Sequence, residues 1–261
     1  MKDKTKVTEN TNLPPYGQIA PIYDILMSDV DYKSWAEYVL KLLERAGAKP
    51  GQSLLDLACG TGAMTLLLAM AGYRATGMDL SPEMLKIARQ NAAEQKKEME
   101  FFQGDLRVFK TESNYNVITC FFDSVNYLLT PEDVAACFAS VYRALASGGA
   151  FIFDVNTIHA LSQFWGNNTE MREDKGVISV WNNRYLPASN SSELTLTAFV
   201  PRGGLYEKLA ERHTERAYPL DDLDRALKNA GFQSVEYFKH NSFDLPAENT
   251  TRVTFLAAKA M

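Results

Sequence analysis

Two hydrophobic periods alternate along this chain. In residues 16–27 apolar side chains fall at Ile19, Ile22, Tyr23 and Leu26, and in residues 31–47 at Trp35, Tyr38, Val39, Leu42 and Leu43. Both spacings are helical, and Gly47 is placed to stop the second helix. From residue 53 the period switches. Short apolar runs at 53–58, 73–79, 99–103, 115–122 and 150–155 read as strands, and the segments at 64–71, 82–97 and 131–146 between them read as helices. Ser81 and Pro82 form an N-cap and first-turn pair, and Ser147-Gly148-Gly149 is a turn ahead of the fifth strand.

This alternation predicts an α/β fold with a parallel sheet wound on both faces. After residue 156 the pattern changes. Runs at 177–186, 193–202 and 205–217, joined by turns at 187–190 and Gly203-Gly204, are expected to form three antiparallel strands. A helix at 220–230, closed by Gly231, and strands at 233–239 and 252–258 follow. The expected organisation is a disordered polar leader (1–15), a core with an N-terminal helical lid (16–166), an antiparallel β insertion (167–218) and a completion of the core sheet (219–261). The insertion reads as either a substrate cap or the surface of a homodimer.

Composition narrows the function classes. Apolar content of 46% and charged content of 23% suit a chain of 261 residues with a full core. The net charge of −5 opposes a nucleic-acid partner, which usually needs a basic surface. No apolar run approaches the ~20 residues of a membrane span, and the polar start lacks a signal-peptide core. Cys59, Cys120 and Cys137 have neither metal nor redox spacing, so no metal site is expected and a reducing cytoplasm is the default.

The chemistry gathers at the ends of the predicted strands. Ser53-Leu54-Leu55-Asp56-Leu57-Ala58-Cys59-Gly60-Thr61-Gly62-Ala63-Met64-Thr65 runs from a buried strand through a glycine turn into a helix, which is how α/β proteins hold nucleotide-like ligands. A dinucleotide fingerprint would need a third glycine where Thr65 stands, and Asp56 would repel a pyrophosphate. That disfavours a nicotinamide oxidoreductase. A carboxylate beside the turn suits a cofactor with a positive end, such as S-adenosylmethionine (SAM). Asp79 ends the second strand, where an acid can accept hydrogen bonds from ribose hydroxyls. Asp105, after Gly104, is placed either for an adenine amino group or as a turn cap. Tyr16, Tyr23 and Trp35 are either packing residues or aromatic faces for a sulfonium, an attraction of about 0.5–2 kcal/mol.

In this order the motifs Leu54-Leu55-Asp56-Leu57-Ala58-Cys59-Gly60-Thr61-Gly62, Gly77-Met78-Asp79-Leu80-Ser81, Gly104-Asp105-Leu106 and Leu145-Ala146-Ser147-Gly148-Gly149 resemble those of the class I SAM-dependent methyltransferases. Tyr23-Asp24-Ile25-Leu26-Met27 and Asp123-Ser124-Val125-Asn126-Tyr127 look like the YqeM-type branch of small bacterial methyltransferases. The resemblance implies a seven-stranded, mostly parallel, Rossmann-like sheet of order 3-2-1-4-5-7-6 with strand 7 antiparallel. It also implies SAM as cofactor, with Asp56, Ala58, Gly60 and Gly62 around its methionine end and Asp79 on the ribose. Leu80 and Met84 would lie beside the adenosine, Asp105 and Leu106 beside adenine, and Phe121, Phe122 and Asp123 near the methyl. Sugar N-methyltransferases of similar build also carry an antiparallel insertion after strand 5.

The expected reaction is methyl transfer to an N or O nucleophile of a small molecule. The alternatives are an RNA or protein methyltransferase, or a SAM-binding sensor without catalysis. Positioning alone can supply about 7–11 kcal/mol of such a barrier, and a base is needed only for a protonated acceptor. Candidates for that base are Asp123, Tyr127 and His213. Strand alternation puts Glu211, His213 and Glu215 on one face and Arg212, Thr214 and Arg216 on the other, so each face is either solvated or turned to a substrate.

Overall fold

The computed structural model describes residues 15–261. The leader expected at 1–15 therefore lies, Pro15 apart, outside the described residues. The chain enters through a 3-10 turn (Ala20–Ile22) and the single-turn helix α1 (Tyr23–Leu26). The continuous helix suggested over 16–27 is broken because Pro21 has no N–H to extend it. Helix α2 (Tyr32–Arg45) starts at Asp31, whose carboxylate accepts from Ser34 N at 3.0 Å. It ends where Gly47 turns left-handed at φ +75°.

Strands β1 (Ser53–Leu57), β2 (Arg74–Asp79), β3 (Glu100–Gln103), β4 (Tyr115–Cys120) and β5 (Leu145–Asn156) alternate with α3 (Ala63–Met70), α4 (Pro82–Glu94) and α5 (Pro131–Ala144). Antiparallel β6 (Thr169–Asp174), β7 (Val177–Leu186), β8 (Ser191–Arg202) and β9 (Leu205–Arg216) follow, then α6 (Leu220–Ala230), β10 (Ser234–Lys239) and β11 (Arg252–Ala258). The main sheet has the order β10-β11-β5-β4-β1-β2-β3. Strand β11 is antiparallel to both β5 and β10, and the remaining pairs are parallel. The expected seven-stranded, mostly parallel α/β sheet is present.

The insertion has four strands where the sequence suggested three. Strand β6, Thr-Glu-Met-Arg-Glu-Asp, is a mostly exposed edge strand with no apolar face to announce it. The turn expected at Ser147-Gly148-Gly149 lies inside β5 as a bulge. Tyr115 pairs with Leu145 and Val117 with Ala150, so the extra residues loop out, and Gly148 takes φ +72°.

Apolar side chains cover the main sheet on both faces. One layer joins α5 and α6 to Phe151, Phe153 and Phe255, whose rings stack at 4.7 and 4.9 Å. The other packs Leu42 and Leu43 of α2 and Leu68 of α3 over Leu54 and Ile152. Each such side chain contributes about 1.5–3 kcal/mol on burial. A smaller cluster joins Ile19, Ile22 and Leu26 to Val177, Leu196 and Ala198, so the insertion sheet packs on the entering segment.

At Gly77 the side chains of neighbouring elements crowd the backbone. A Cβ there would stand 2.5 Å from Phe101 Cδ1 and 2.8 Å from Cys59 Sγ. Gly77→Ala should therefore lower the urea-unfolding free energy by about 1–3 kcal/mol through overpacking, and an unchanged midpoint would contradict this packing.

Candidate functional site

A cavity of about 270 Å³ opens at the carboxyl ends of β1, β2 and β4. Strand order reverses between β1 and β4, the place where α/β sheets leave a crevice. The glycine turn forms one wall. Ala58, Gly60 and Gly62 all have positive φ, and a Cβ on Gly60 would meet nothing within 4 Å. Gly62 does not line the cavity. Its missing side chain makes room for Ala88 Cβ and the Phe101 ring, which a Cβ would approach to 3.1 and 3.3 Å.

Two carboxylates flank the turn in different ways. Asp79 Oδ2 accepts from Gly60 N at 2.8 Å and Oδ1 from Ser81 N at 2.9 Å. Each oxygen keeps a further lone pair for a ligand hydroxyl. Burial raises the Asp79 carboxyl above its usual range, and the backbone donors offset part of that shift. Asp56, 3% exposed, accepts from Thr65 Oγ1 at 2.6 Å and Thr119 Oγ1 at 2.8 Å. It touches the cavity yet mainly ties β1 to α3 and β4. Desolvation pushes it up to about 6 against those two hydrogen bonds.

At the far end Asp105, Leu106 and Met84 line the cavity, together with Gly104 and Leu80. Asp105 is engaged by Arg107, whose Nη2 donates to Oδ2 at 2.5 Å and whose Nε donates to Oδ1 at 3.0 Å. The Arg107 hydrogen bond holds the Asp105 carboxyl below its usual value. At the near end the floor is Phe121 and Phe122, and the cover is Tyr16, Tyr23 and Tyr32, with Tyr127 beside them. The Tyr16 and Tyr127 hydroxyls hydrogen-bond to each other, and burial keeps both phenols protonated far above neutral pH.

The entering segment is fastened from two sides. Glu211 of β9 accepts from the backbone N–H groups of Tyr16 at 2.8 Å, Gln18 at 2.5 Å and Ile19 at 3.0 Å. Burial works to raise this carboxyl, but the His213 contact and the backbone donors outweigh it and hold it low. Thr61 Oγ1 donates to Asp24 Oδ1 at 2.7 Å, joining α1 to the glycine turn.

Three of the expected site residues, besides Gly62, do not line the cavity. Trp35 sits behind the floor, its ring 4.1 Å from that of Phe122. His213, 2% exposed, packs 4.5 Å from the Tyr16 ring, and its Nδ1 lies 3.4 Å from the Tyr127 hydroxyl. Asp123 follows the floor and is paired with Arg252, whose Nη2 donates to Oδ1 at 2.7 Å. The alternation expected on β9 turns Glu211, His213 and Glu215 toward the core, so that face is not solvated.

Sequence reasoning missed the group beneath the floor. Asp154, fully buried in β5, accepts from Phe122 N at 3.0 Å, Asp123 N at 2.8 Å and Arg252 Nη1 at 2.5 Å. A lone acid inside Phe151-Ile152-Phe153-Asp154-Val155 was the available signal. Arg252, at the start of the last strand β11, carried none.

Two outcomes follow from this chemistry. Breaking a buried ion pair from one side costs about 3–5 kcal/mol, so Arg252→Met should lower stability by that order in chemical denaturation. A loss below about 1 kcal/mol would mean the network carries little. For Asp56, a folded-state value raised to about 6 means that the native state binds a proton more tightly than the unfolded chain. Stability from this group is present at low pH and falls by up to about 3 kcal/mol as pH rises from about 4 to above 6. Asp56→Asn should remove that decline, so the difference in thermal midpoint between variant and wild type should move in favour of the variant between pH 4 and 7.5. A pH-independent difference would contradict it.

Comparison with known proteins agrees with this geometry. A methyltransferase-domain family profile matches residues 54–149. A Geobacillus sp. (strain WCH70) protein described as a methyltransferase, GWCH70_2453, is 34% identical over 94% of this chain and 99% of its own length. The methyltransferase-named YqeM protein of Bacillus subtilis (strain 168) is 31% identical over 94% of this chain and 97% of its own. The crystal structure of a SAM-dependent methyltransferase from Clostridium acetobutylicum ATCC 824 superposes with a TM-score of 0.84 at 31% identity, covering 94% of this chain and 99% of that one.

Proposed function

The chain belongs to the class I SAM-dependent methyltransferases, in the YqeM-type branch, and on that premise we propose that its acceptor is an N or O nucleophile of a small molecule. The cofactor supplies a methyl group on a sulfonium leaving group, so no covalent catalyst is required of the protein. The observation that carries the reading is the cavity itself, with Asp79 at one wall and a closed aromatic end at Phe122, Tyr16 and Tyr127.

The residues fit the cofactor. The open space at Gly60 admits a ligand against the backbone, and Asp79 offers spare lone pairs for two vicinal hydroxyls. Leu80 and Met84 supply apolar contact for the nucleoside, and Asp105 and Leu106 border the base. Ala58 and Asp56 stand at the amino-acid end. The faces of Tyr16, Tyr23 and Phe122 favour a positive centre by about 0.5–2 kcal/mol. Phe121 and Phe122 fix the depth of the site, and the tyrosine cover held by Glu211 excludes water while the reacting atoms are aligned.

A small acceptor fits the charge of the site. Arg107 is the one basic side chain lining the cavity among the described residues, and Asp105 neutralises it. A phosphate-rich polymer would find no cationic track there. The insertion then works as a cap, because β9 carries the Glu211 clasp. We place the reaction in the cytoplasm, in keeping with three free cysteines and with the absence, among the described residues, of a helix long and apolar enough to cross a membrane.

Asp79→Ala should weaken S-adenosylhomocysteine binding about 10- to 100-fold in calorimetry, the loss of hydrogen bonds to a charged acceptor. Incubating the protein with methyl-labelled SAM and a metabolite extract should then yield a labelled small molecule. Binding of NADH but not of SAM by the intact protein would sink the reading.

A further inference from the structure

Next to the Tyr16–Tyr127 hydrogen bond stands a group of acids, with Asp123 still 17% exposed, that the cofactor fit above leaves unused. Glu215 of β9 and Asp123 face each other there within hydrogen-bonding reach, and Asp154 stands behind Asp123. Three acids are served by one guanidinium. Arg252 donates to Asp123 at 2.7 Å and to Asp154 at 2.5 Å, and nothing cationic donates to Glu215. Glu215 Oε2 accepts only from Asn156 Nδ2, at 2.9 Å.

Asn156 adds a second, independent observation. It is 1% exposed and sits at the carboxyl end of β5, and its Oδ1 has no hydrogen-bond partner. Its backbone N–H and C=O are held by the Asn126 side chain at 2.9 and 3.0 Å. The nitrogen of the Asn156 side-chain amide donates to Glu215, and the orphan oxygen belongs to the same amide group. A buried acceptor left unpaired costs about 1–3 kcal/mol. Three acids and an orphan acceptor set against one guanidinium leave this group short of donors and of positive charge. A protonated amine supplies both.

We propose that Glu215, Asp123 and Asn156 form the acceptor subsite and that it takes the ammonium group of a small-molecule amine, which makes this enzyme an N-methyltransferase. The inference rests on the small-molecule reading above and selects nitrogen over oxygen. Binding of the ammonium displaces the Glu215 proton to solvent, and the carboxylate so formed then receives the proton of the ammonium. The freed nitrogen lone pair then forms the new N–C bond while the C–S bond breaks, its electron pair staying on sulfur, and the positive charge passes to the methylated nitrogen. Burial and the neighbouring Asp123 push Glu215 up to about 8, which suits it to hold that proton. Besides burial, the groups that set its titration are Asp123 before the 3-10 turn, Asn156 on β5 and Arg252 on β11, and the Tyr16 and Tyr127 phenols beside it are themselves raised by its charge. Glu211 and His213 lie on the same face of β9.

The test uses the full chain saturated with S-adenosylhomocysteine and titrated with cyclohexylammonium or cyclohexanol at pH 7. The amine should bind more than tenfold tighter than the alcohol. Calorimetry in buffers of different ionisation enthalpy should show up to about one proton released per amine as Glu215 ionises, falling toward zero above about pH 9. Glu215→Gln should lose the proton release and at least tenfold of the amine affinity while keeping its affinity for S-adenosylhomocysteine. Should that variant fail to fold by circular dichroism, Glu215→Asp, with a retracted carboxylate, should lose at least fivefold. Equal binding of amine and alcohol, no amine binding, or an unchanged Glu215→Gln would each overturn the proposal. A folded Glu215→Gln that loses S-adenosylhomocysteine affinity would assign the pair to the cofactor and also overturn it. Failure of the wild type to bind S-adenosylhomocysteine at all would instead refute the cofactor reading.

Discussion

The buried carboxylate of Asp154 is the constraint on which the near end of the site depends. It takes two backbone N–H groups from the chain leaving β4 and one guanidinium N–H from β11. Those bonds hold Phe122 and Asp123 at φ +57° and +53°, a left-handed conformation that costs about 1 kcal/mol or more per non-glycine residue. With the backbone bent this way, Phe122 lines the cavity and packs at a tilt against Trp35, while Asp123 turns to Arg252. An antiparallel last strand is what makes this possible, because it brings Arg252 opposite Asn156, at the same edge of the sheet as the site.

A second dependence runs through Glu211. The entering segment has little structure of its own, one 3-10 turn and one helical turn, and it cannot hold a lid shape unaided. Three backbone donors converge on one carboxylate, and an apolar cluster beneath joins Ile19 and Ile22 to the insertion sheet. Cover and insertion are thus one assembly, and the aromatic faces of Tyr16 and Tyr23 owe their positions to a strand almost 200 residues away. The inward face of β9 carries three jobs in alternate positions: Glu211 clasps, His213 packs against Tyr16, and Glu215 stands beside Asp123.

The acids of the site divide by what they already hold. Asp56 and Asp154 spend their capacity on the protein and act as anchors. Asp79 accepts one backbone donor on each oxygen and retains capacity for a ligand. Asp105 is largely claimed by Arg107. Glu215 and Asp123 are the ones in excess. A carboxylate at a strand end is therefore not enough to assign a ligand contact, and the partners around it decide.

The sequence by itself determined the sheet and which strand ends border the cavity. Strand runs, the glycine turn, Asp79 and the Gly104-Asp105 step are local signals, since each strand end and the turn after it lie within a few residues of one another. The parallel winding rules carry them to one crevice. Tertiary structure decided what is built from distant segments. Neither the charged edge strand β6 nor the Asp154–Arg252 pair nor the Glu211 clasp has a local periodicity, and each exists only because separate elements meet. His213 shows the difference most directly. Alternation placed it on the right face of its strand, but only the packing of β9 against Tyr16 and Tyr127 turned that face inward, and burial there is a property of the contact rather than of the residues.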